Sequence, residues 1–209
     1  GDERNTFRRM NSGKSVLWDP ATGADQNVPL SRNLFCSGHC ALPDGRLLVV
    51  GGQSLAQDIL GTLASLLGLR RGVDHDIHTF DPLTETWTRH QDMPRARWYP
   101  SCTVLPDGRA LIVSGFHTHA LDTIVRLLGI KLSAVNEDHE LFDPATNGLA
   151  APQPFLPGIS LYPFVYVLPG GALFVHSQNK TRLLDLEGFT WLPGEFPTTT
   201  PGTRTYPGQ

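Results

Sequence analysis

The segment Leu42-Pro43-Asp44-Gly45-Arg46 occurs a second time in this chain as Leu105-Pro106-Asp107-Gly108-Arg109. A weaker copy, Leu168-Pro169-Gly170-Gly171, follows after the same interval. An Asp-Pro-X-Thr segment also recurs at equal intervals, starting at Asp19, Asp81 and Asp143. Self-similarity at a fixed period is typical of repeat architectures. This period therefore decides the fold.

Each repeat contains the signals of four short antiparallel strands. The Asp44-Gly45 pair separates two apolar runs, 40–42 and 47–50, and predicts a hairpin because such a turn needs positive φ. Two further strands are predicted at 78–81 and around Trp87. Four antiparallel strands form one blade of a β-propeller. The Gly51-Gly52 pair and the tryptophan after the fourth strand resemble the kelch repeat, so we expect an all-β, kelch-type β-propeller.

The repeats predict an incomplete propeller. We expect about three full four-stranded blades, a half-blade at 15–30 and a first strand beginning at Tyr206; the full blades begin near Cys36, Tyr99 and Tyr162. Propellers close with about four to eight blades. Residues 1–209 are therefore expected to be part of a single propeller domain, with the remainder of the same polypeptide closing the ring. The alternative is that two chains complete one ring.

Two repeats are lengthened by insertions at about 53–73 and 116–136. Each insertion has apolar residues on one helical face and ends at a glycine, Gly68 or Gly129. We therefore predict two short inserted helices, which either cover blade edges or overhang one mouth of the propeller. Neither apolar stretch approaches the roughly 20 residues that a membrane span needs.

Composition argues against some functions and leaves others open. The net charge is −3 and the chain has no basic stripe, which argues against a nucleic-acid partner. The 21 glycines and 17 prolines suit an all-β protein rich in turns. The three cysteines allow one pair plus one special thiol, or three free thiols.

Three blade starts carry side chains that could take part in chemistry: one thiol and two phenols. Cys36, Tyr99 and Tyr162 are each one repeat apart, and equivalent positions of successive blades lie side by side around a propeller axis. All three are therefore expected at the same mouth. The insertions leave from the end of the second strand, which places His117 and His119 over that mouth, where loops usually carry the binding site. The sequence thus predicts a thiol beside a phenol.

Two segments in this register, Phe35-Cys36-Ser37-Gly38 and Ala96-Arg97-Trp98-Tyr99, resemble those of the copper radical oxidases, the family of galactose oxidase and glyoxal oxidase. The Leu-Pro-Asp-Gly-Arg copies and Arg97–Pro100 favour the glyoxal-oxidase-like branch. The resemblance implies a thioether bond between Cys36 and Tyr99, and copper bound through the Tyr99 oxygen. It also implies oxidation of a primary alcohol or aldehyde by O2, giving an aldehyde or carboxylic acid plus H2O2, in a secreted or cell-surface protein.

The chain departs from the family pattern in its other ligands. The family also uses an axial tyrosine, the adjacent histidine and one further histidine, but no Tyr-His dipeptide occurs here. We therefore expect residues 1–209 alone to bind copper weakly and to be inactive. Tyr162 and Tyr206 repeat the Tyr-Pro blade start and are expected to be structural. His117 takes the position of the aromatic residue that stacks on the thioether in galactose oxidase, and could hydrogen-bond a hydrated aldehyde.

The alternative function is a non-catalytic kelch-repeat interaction or scaffold module. Cys36 would then be a small buried hydrophobe, and Tyr99 a core aromatic. A possible ligand cluster, 75–78, contains two histidines and an aspartate, but its counterpart 137–140 contains two glutamates and an aspartate, which favours a polar strand entry. Cys40 and Cys102 have no assigned role.

Overall fold

The computed structural model describes residues 13–52, 75–116, 135–155 and 158–197. Within these ranges the chain forms sixteen β-strands and no α-helix. The strands β1 (Lys14–Trp18) and β2 (Asp25–Pro29) form an antiparallel hairpin, at the place of the half-blade predicted at 15–30. Three antiparallel sheets follow in chain order.

Each of the three sheets is a meander of four strands, and two of them have an added short strand. The first blade contains β3 (Gly38–Ala41), β4 (Leu47–Val50), β5 (Ile77–Asp81) and β6 (Thr86–Arg89). The second contains β7 (Ser101–Val104), β8 (Ala110–Val113), β9 (Asp138–Asp143) and β10 (Gly148–Leu149), with β11 (Gln153–Pro154) paired to β9. The third contains β12 (Phe164–Val167), β13 (Ala172–Ser177), β14 (Lys180–Asp185) and β15 (Thr190–Trp191), with β16 (Phe196–Pro197) paired to β14.

The hairpin between the first two strands of a blade follows from local chemistry. Gly45 adopts φ +89°, which a residue with a side chain rarely adopts. The Asp44 carboxylate accepts a hydrogen bond from the Arg46 backbone N–H at 3.0 Å. It also forms an ion pair with the Arg46 guanidinium at 2.6 Å. Asp107 and Arg109 repeat both contacts in the second blade. The predicted hairpins are therefore confirmed.

The hydrophobic core lies between adjacent blades. All four residues of β8 are buried because side chains alternate along a strand and here meet a blade on either side. One cluster joins the first and second blades: Leu42, Leu48, Val50, Ile77, Met93, Ala110, Ile112 and Phe142. A second cluster joins the second and third blades: Leu105, Leu111, Val113, Phe155, Ile159, Val165, Leu173, Val175 and Leu184. Blades packed face to face in this way form the predicted arc of a β-propeller.

The two predicted inserted helices lie outside the described residues, and so do His117, His119 and Tyr206. The ends of the second insertion are described: Phe116 forms isolated bridges with both Trp98 and Val135. This insertion therefore leaves and re-enters the fold beside the segment that carries Tyr99. Among the described residues, no helix is long and apolar enough to cross a membrane.

Candidate active site

Three residues at the blade starts share an unusual backbone conformation. Cys36, Tyr99 and Tyr162 have φ values of 64°, 62° and 45°, in the left-handed region that residues with side chains uncommonly adopt. The Tyr99 backbone N–H donates to the Cys36 carbonyl at 3.1 Å, and the Tyr162 N–H donates to the Tyr99 carbonyl at 3.1 Å. The structure thus places the three residues side by side, and one of these backbone hydrogen bonds joins each pair of neighbours.

The Cys36 thiol meets the Tyr99 side chain. The Cys36 thiol interacts with the side chains of both Tyr99 and Trp98. Burial raises the pKa of Cys36 above its ordinary value, and its interactions with these two side chains only partly oppose that effect. The thiol is therefore protonated at neutral pH, in contact with the phenol.

Aromatic rings enclose Tyr99. The Trp98 ring centroid lies 4.0 Å from that of Tyr99, and the Tyr162 centroid lies 4.7 Å from it. Trp98 is itself stacked on Phe116, with centroids 5.5 Å apart and planes 16° apart. Sequence reasoning left the role of Trp98 open, and the only signal for it was its position before Tyr99. The geometry makes it a direct neighbour of both Cys36 and Tyr99.

Tyr162 has a different environment from Tyr99. Its hydroxyl donates to the Ser37 carbonyl at 3.1 Å. This bond connects the third blade to the residue after Cys36, across the mouth. The contact agrees with the structural role expected for Tyr162.

A buried ion pair holds the segment that leads to Tyr99. The Arg97 guanidinium is fully buried; it donates to Glu140 Oε2 at 2.6 Å and to the Ser114 carbonyl at 2.6 Å. Burial raises the pKa of Glu140, and the Arg97 charge opposes that rise. On the other side, the Gly52 N–H donates to the Arg97 carbonyl at 3.1 Å, and a Cβ at Gly51 would lie 2.1 Å from that carbonyl oxygen. The segment is therefore fixed between the first and second blades.

The polar cluster at 75–78 holds an ion-pair network. Asp76 is fully buried and accepts two hydrogen bonds from Arg32, at 2.6 and 2.9 Å, and two from Arg89, at 3.0 and 3.3 Å. Its counterpart Asp138 pairs at 3.1 Å with Arg95, which takes the repeat position of Arg32 in the next blade. This repetition agrees with a polar strand entry.

A cleft of about 240 Å³ runs along the three inner strands. Its lining includes Ser37, His39, Pro100, Tyr162 and Tyr166. The cleft begins at Ser37 and Pro100, the residues that follow Cys36 and Tyr99 in the sequence. Within the ranges that the structure describes, no three histidine, cysteine, aspartate or glutamate side chains converge into a metal site. That Tyr99 binds copper stays a prediction from the sequence.

Residues 2–209 match the family described as Glyoxal oxidase N-terminus, and the chain belongs to this family. The aldehyde oxidase GLOX of Vitis pseudoreticulata is 27% identical over 199 residues, which cover 92% of this chain and 32% of that protein. The aldehyde oxidase GLOX1 of Arabidopsis thaliana is 28% identical over 205 residues, covering 93% of this chain and 27% of that protein. A galactose oxidase of Gibberella zeae is 27% identical over 101 residues, 47% of this chain and 12% of that protein. The chain spans a third or less of the length of these relatives.

Two solved structures share the fold. YjhT superposes with a TM-score of 0.62 at 16% identity, over 91% of this chain and 60% of that one. A fungal alcohol oxidase of the AA5 family, in complex with copper, gives a TM-score of 0.57 at 16% identity, over 88% of this chain and 35% of that one. At this identity the likeness concerns the fold alone. The family match confirms the predicted resemblance to the copper radical oxidases.

Proposed function

We propose that this chain supplies the Cys36–Tyr99 half of a copper radical oxidase site. In the complete, secreted or cell-surface polypeptide, the site oxidises a primary alcohol or aldehyde with O2, giving an aldehyde or carboxylic acid plus H2O2. The observation that carries this proposal is the position of Cys36 and Tyr99 at adjacent blade starts, where the Tyr99 N–H donates to the Cys36 carbonyl at 3.1 Å and the two side chains interact. The remainder of the polypeptide closes the propeller.

The contact is suited to a thioether bond between Cys36 and Tyr99. The thiol loses its hydrogen, the ring carbon ortho to the phenol oxygen loses its hydrogen, and one S–C bond forms. The two electrons and two protons pass to dioxygen, which becomes hydrogen peroxide. A sulfur substituent donates electron density into the ring and makes one-electron oxidation of the phenol easier. Cys36 would in this way make Tyr99 easier to oxidise.

The residues present fit copper in part. The Tyr99 phenolate is an oxygen ligand of the type that copper(II) accepts, and it sits where a thiol can modify its ring. The other ligands are proposed to come from the rest of the polypeptide. When bound, copper would hold one oxidising equivalent while the modified tyrosine holds the other.

The surrounding residues position this phenol and its substrate. Trp98 and Tyr162 pack against the Tyr99 ring and restrict its movement. The cleft beside Ser37 gives a small alcohol or aldehyde a place to bind. His117, which lies outside the described residues, is proposed to stack on the thioether and to hydrogen-bond a hydrated aldehyde.

The test uses the complete polypeptide, loaded with copper in air and digested for mass spectrometry. We expect the peptides holding Cys36 and Tyr99 to appear cross-linked, with two hydrogens lost. The variant Tyr162→Phe is the matched control, because it removes a phenol at the same register position, and it should retain the cross-link. Peptides that never appear cross-linked in the loaded protein would overturn the proposal and favour a scaffold module.

Cys36→Ala should keep the fold and lower peroxide output. If losing the thioether raises the barrier by about 3 kcal/mol, turnover falls roughly a hundredfold. Circular dichroism checks the fold and a peroxidase-coupled assay measures the product. Unchanged peroxide output would contradict a role for the thioether.

A further inference from the structure

Two cysteines outside the proposed site face each other. The Sγ atoms of Cys40 and Cys102 are 2.8 Å apart, although the two cysteines belong to successive repeats of the sequence. Cys40 lies on β3 and Cys102 on β7, the inner strands of the first and second blades. The contact is part of the junction between these blades, since both side chains pack against the hydrophobic cluster that joins them.

The register of β7 explains why these side chains meet. Ser101 and Thr103 point to the third blade, where their hydroxyls donate to the carbonyls of Pro163 and Val165, both at 2.6 Å. Residues alternate along a strand, so Cys102 between them points to the first blade. The equivalent of the Cys40–Cys102 contact in the next repeat is Thr103–Val165. One junction therefore has two thiols where the next has a hydroxyl and a carbonyl.

We propose that Cys40 and Cys102 form a disulfide bond that joins the inner strands of the first and second blades. A disulfide has its sulfurs about 2.05 Å apart, so closure requires side-chain movements of less than about 1 Å. A backbone hydrogen bond and the shared core hold the two blades together around this pair of thiols. This inference is independent of the oxidase chemistry.

The bond forms by thiol–disulfide exchange with a small-molecule disulfide such as glutathione disulfide. The Cys40 thiolate attacks the reagent and releases one thiol. The Cys102 thiolate then attacks the mixed disulfide at the Cys40 sulfur and releases the second. The cysteine pair loses two electrons and two protons, and the reagent is reduced to two thiols. Burial and the neighbouring Cys40 raise the pKa of Cys102, so only a small fraction of Cys102 is thiolate at neutral pH, and this fraction carries out the second step.

The disulfide would also determine which of the three cysteines stays a free thiol. The chain has three cysteines, and Cys40 and Cys102 contact each other, not Cys36. Pairing Cys40 with Cys102 leaves Cys36 as the single free thiol. The first and second blades are then joined covalently through Cys40 and Cys102, while Cys36 at the mouth keeps its free thiol.

The test is peptide mapping of the copper-free complete polypeptide after incubation with glutathione disulfide. Free thiols are alkylated in denaturant, and the digestion omits reductant. We expect one linked species holding Cys40 and Cys102, with two hydrogens lost, and Cys36 in its alkylated form. Alkylation of both Cys40 and Cys102, or glutathione on either one without the linked species, would overturn the proposal. Copper is absent, so failure of the thioether cannot cause either result.

A second measurement compares thermal unfolding with and without a phosphine reductant. We expect oxidation to raise the Tm by roughly 5–10 °C, since the bond closes a long loop in the unfolded chain. Cys40→Ala and Cys102→Ala, made separately, should both lose this redox-dependent shift. Cys36→Ala should retain it. A shift that persists in either of the first two variants would contradict the pairing.

Discussion

The first and second blades share one backbone but differ in the side chains at equivalent positions. Gly38 of the first blade corresponds to Ser101 of the second, and Cys40 corresponds to Thr103. A Cβ at Gly38 would lie 2.7 Å from the Pro100 carbonyl oxygen, whereas the Ser101 hydroxyl donates to the equivalent carbonyl at 2.6 Å. The junction of the first and second blades contains all three cysteines, while the next junction is joined through hydroxyls. The repeat therefore fixes where the strands lie. Differences at single positions decide whether thiols or hydroxyl hydrogen bonds join two neighbouring blades.

The same contrast extends to the third strand of each blade. His78 in the first blade corresponds to Glu140 in the second, and both side chains are buried. Glu140 pairs with the buried Arg97, whose counterpart before Tyr162 is Ser160. A charged pair thus supports the segment that enters the candidate site, and a neutral hydroxyl takes that place one blade later.

Removing Arg97 should have the largest effect on stability. Arg97→Met leaves the buried Glu140 carboxylate without its partner, so we expect a loss of about 3–5 kcal/mol in the free energy of unfolding. Urea unfolding of the complete protein measures it. Arg95→Met is the matched control, because Arg95 is half exposed, and it should cost no more than about 1 kcal/mol. A loss below about 1 kcal/mol for Arg97→Met would show that the ion pair does not support the second blade.

The double variant Arg97→Met/Glu140→Leu sharpens this result. An apolar pair of similar volume removes both buried charges, and we expect it to recover much of the stability lost in the single variant. Failure to recover would indicate that the bonds from Arg97 to the Ser114 carbonyl and to the Asp138 carboxylate, not the pair with Glu140, are the main contribution.

The first blade should become less stable in acid through His78. Burial lowers the pKa of His78 to about 4 from 6.5; the carboxylate of Asp76 opposes this shift and the Arg89 charge adds to it. The folded pKa lies below the unfolded one, so the stabilising contribution is complete above pH 6.5 and is lost as the pH falls towards 4. We expect about 3 kcal/mol from this one group over that interval.

Urea unfolding midpoints between about pH 7.5 and pH 4.5 measure the effect. His78→Phe should flatten the decline of stability with falling pH, because phenylalanine has no proton to bind. His39→Gln changes an exposed imidazole on β3 and should leave the decline as it is in the parent. An unchanged decline in His78→Phe would assign the acid sensitivity to other groups.

Exchanging the side chains at the first position of the inner strands should have the smallest effect. Gly38→Ser adds a Cβ against the Pro100 carbonyl, and overpacking of this kind costs about 1–3 kcal/mol. The reverse change, Ser101→Gly, removes one hydrogen bond and should cost about 1 kcal/mol. Unfolding midpoints of both variants measure the difference. Equal costs would show that the two junctions have the same spacing, which would break the comparison.

Several features could be predicted because their causes are local or periodic. Gly45 has positive φ next to an aspartate that caps the turn, so the hairpin could be predicted from a few adjacent residues. The side-by-side placement of Cys36 and Tyr99 needed only the period. The packing of Trp98 on Tyr99 and the pairing of Arg97 with Glu140 could not be predicted, since each depends on the direction of a side chain within a segment outside the regular strands.

The strand order, the hairpins and the three blade starts that line one mouth all follow from the repeated sequence. They do so because a repeated pattern of apolar residues and turns repeats the same backbone hydrogen bonds. The tertiary structure alone decided which side chains face each other across a junction, including the contact between Cys40 and Cys102. The physical reason is that such contacts depend on the alternation of two separate strands and on the distance between blades, and neither is encoded in any single stretch of the chain.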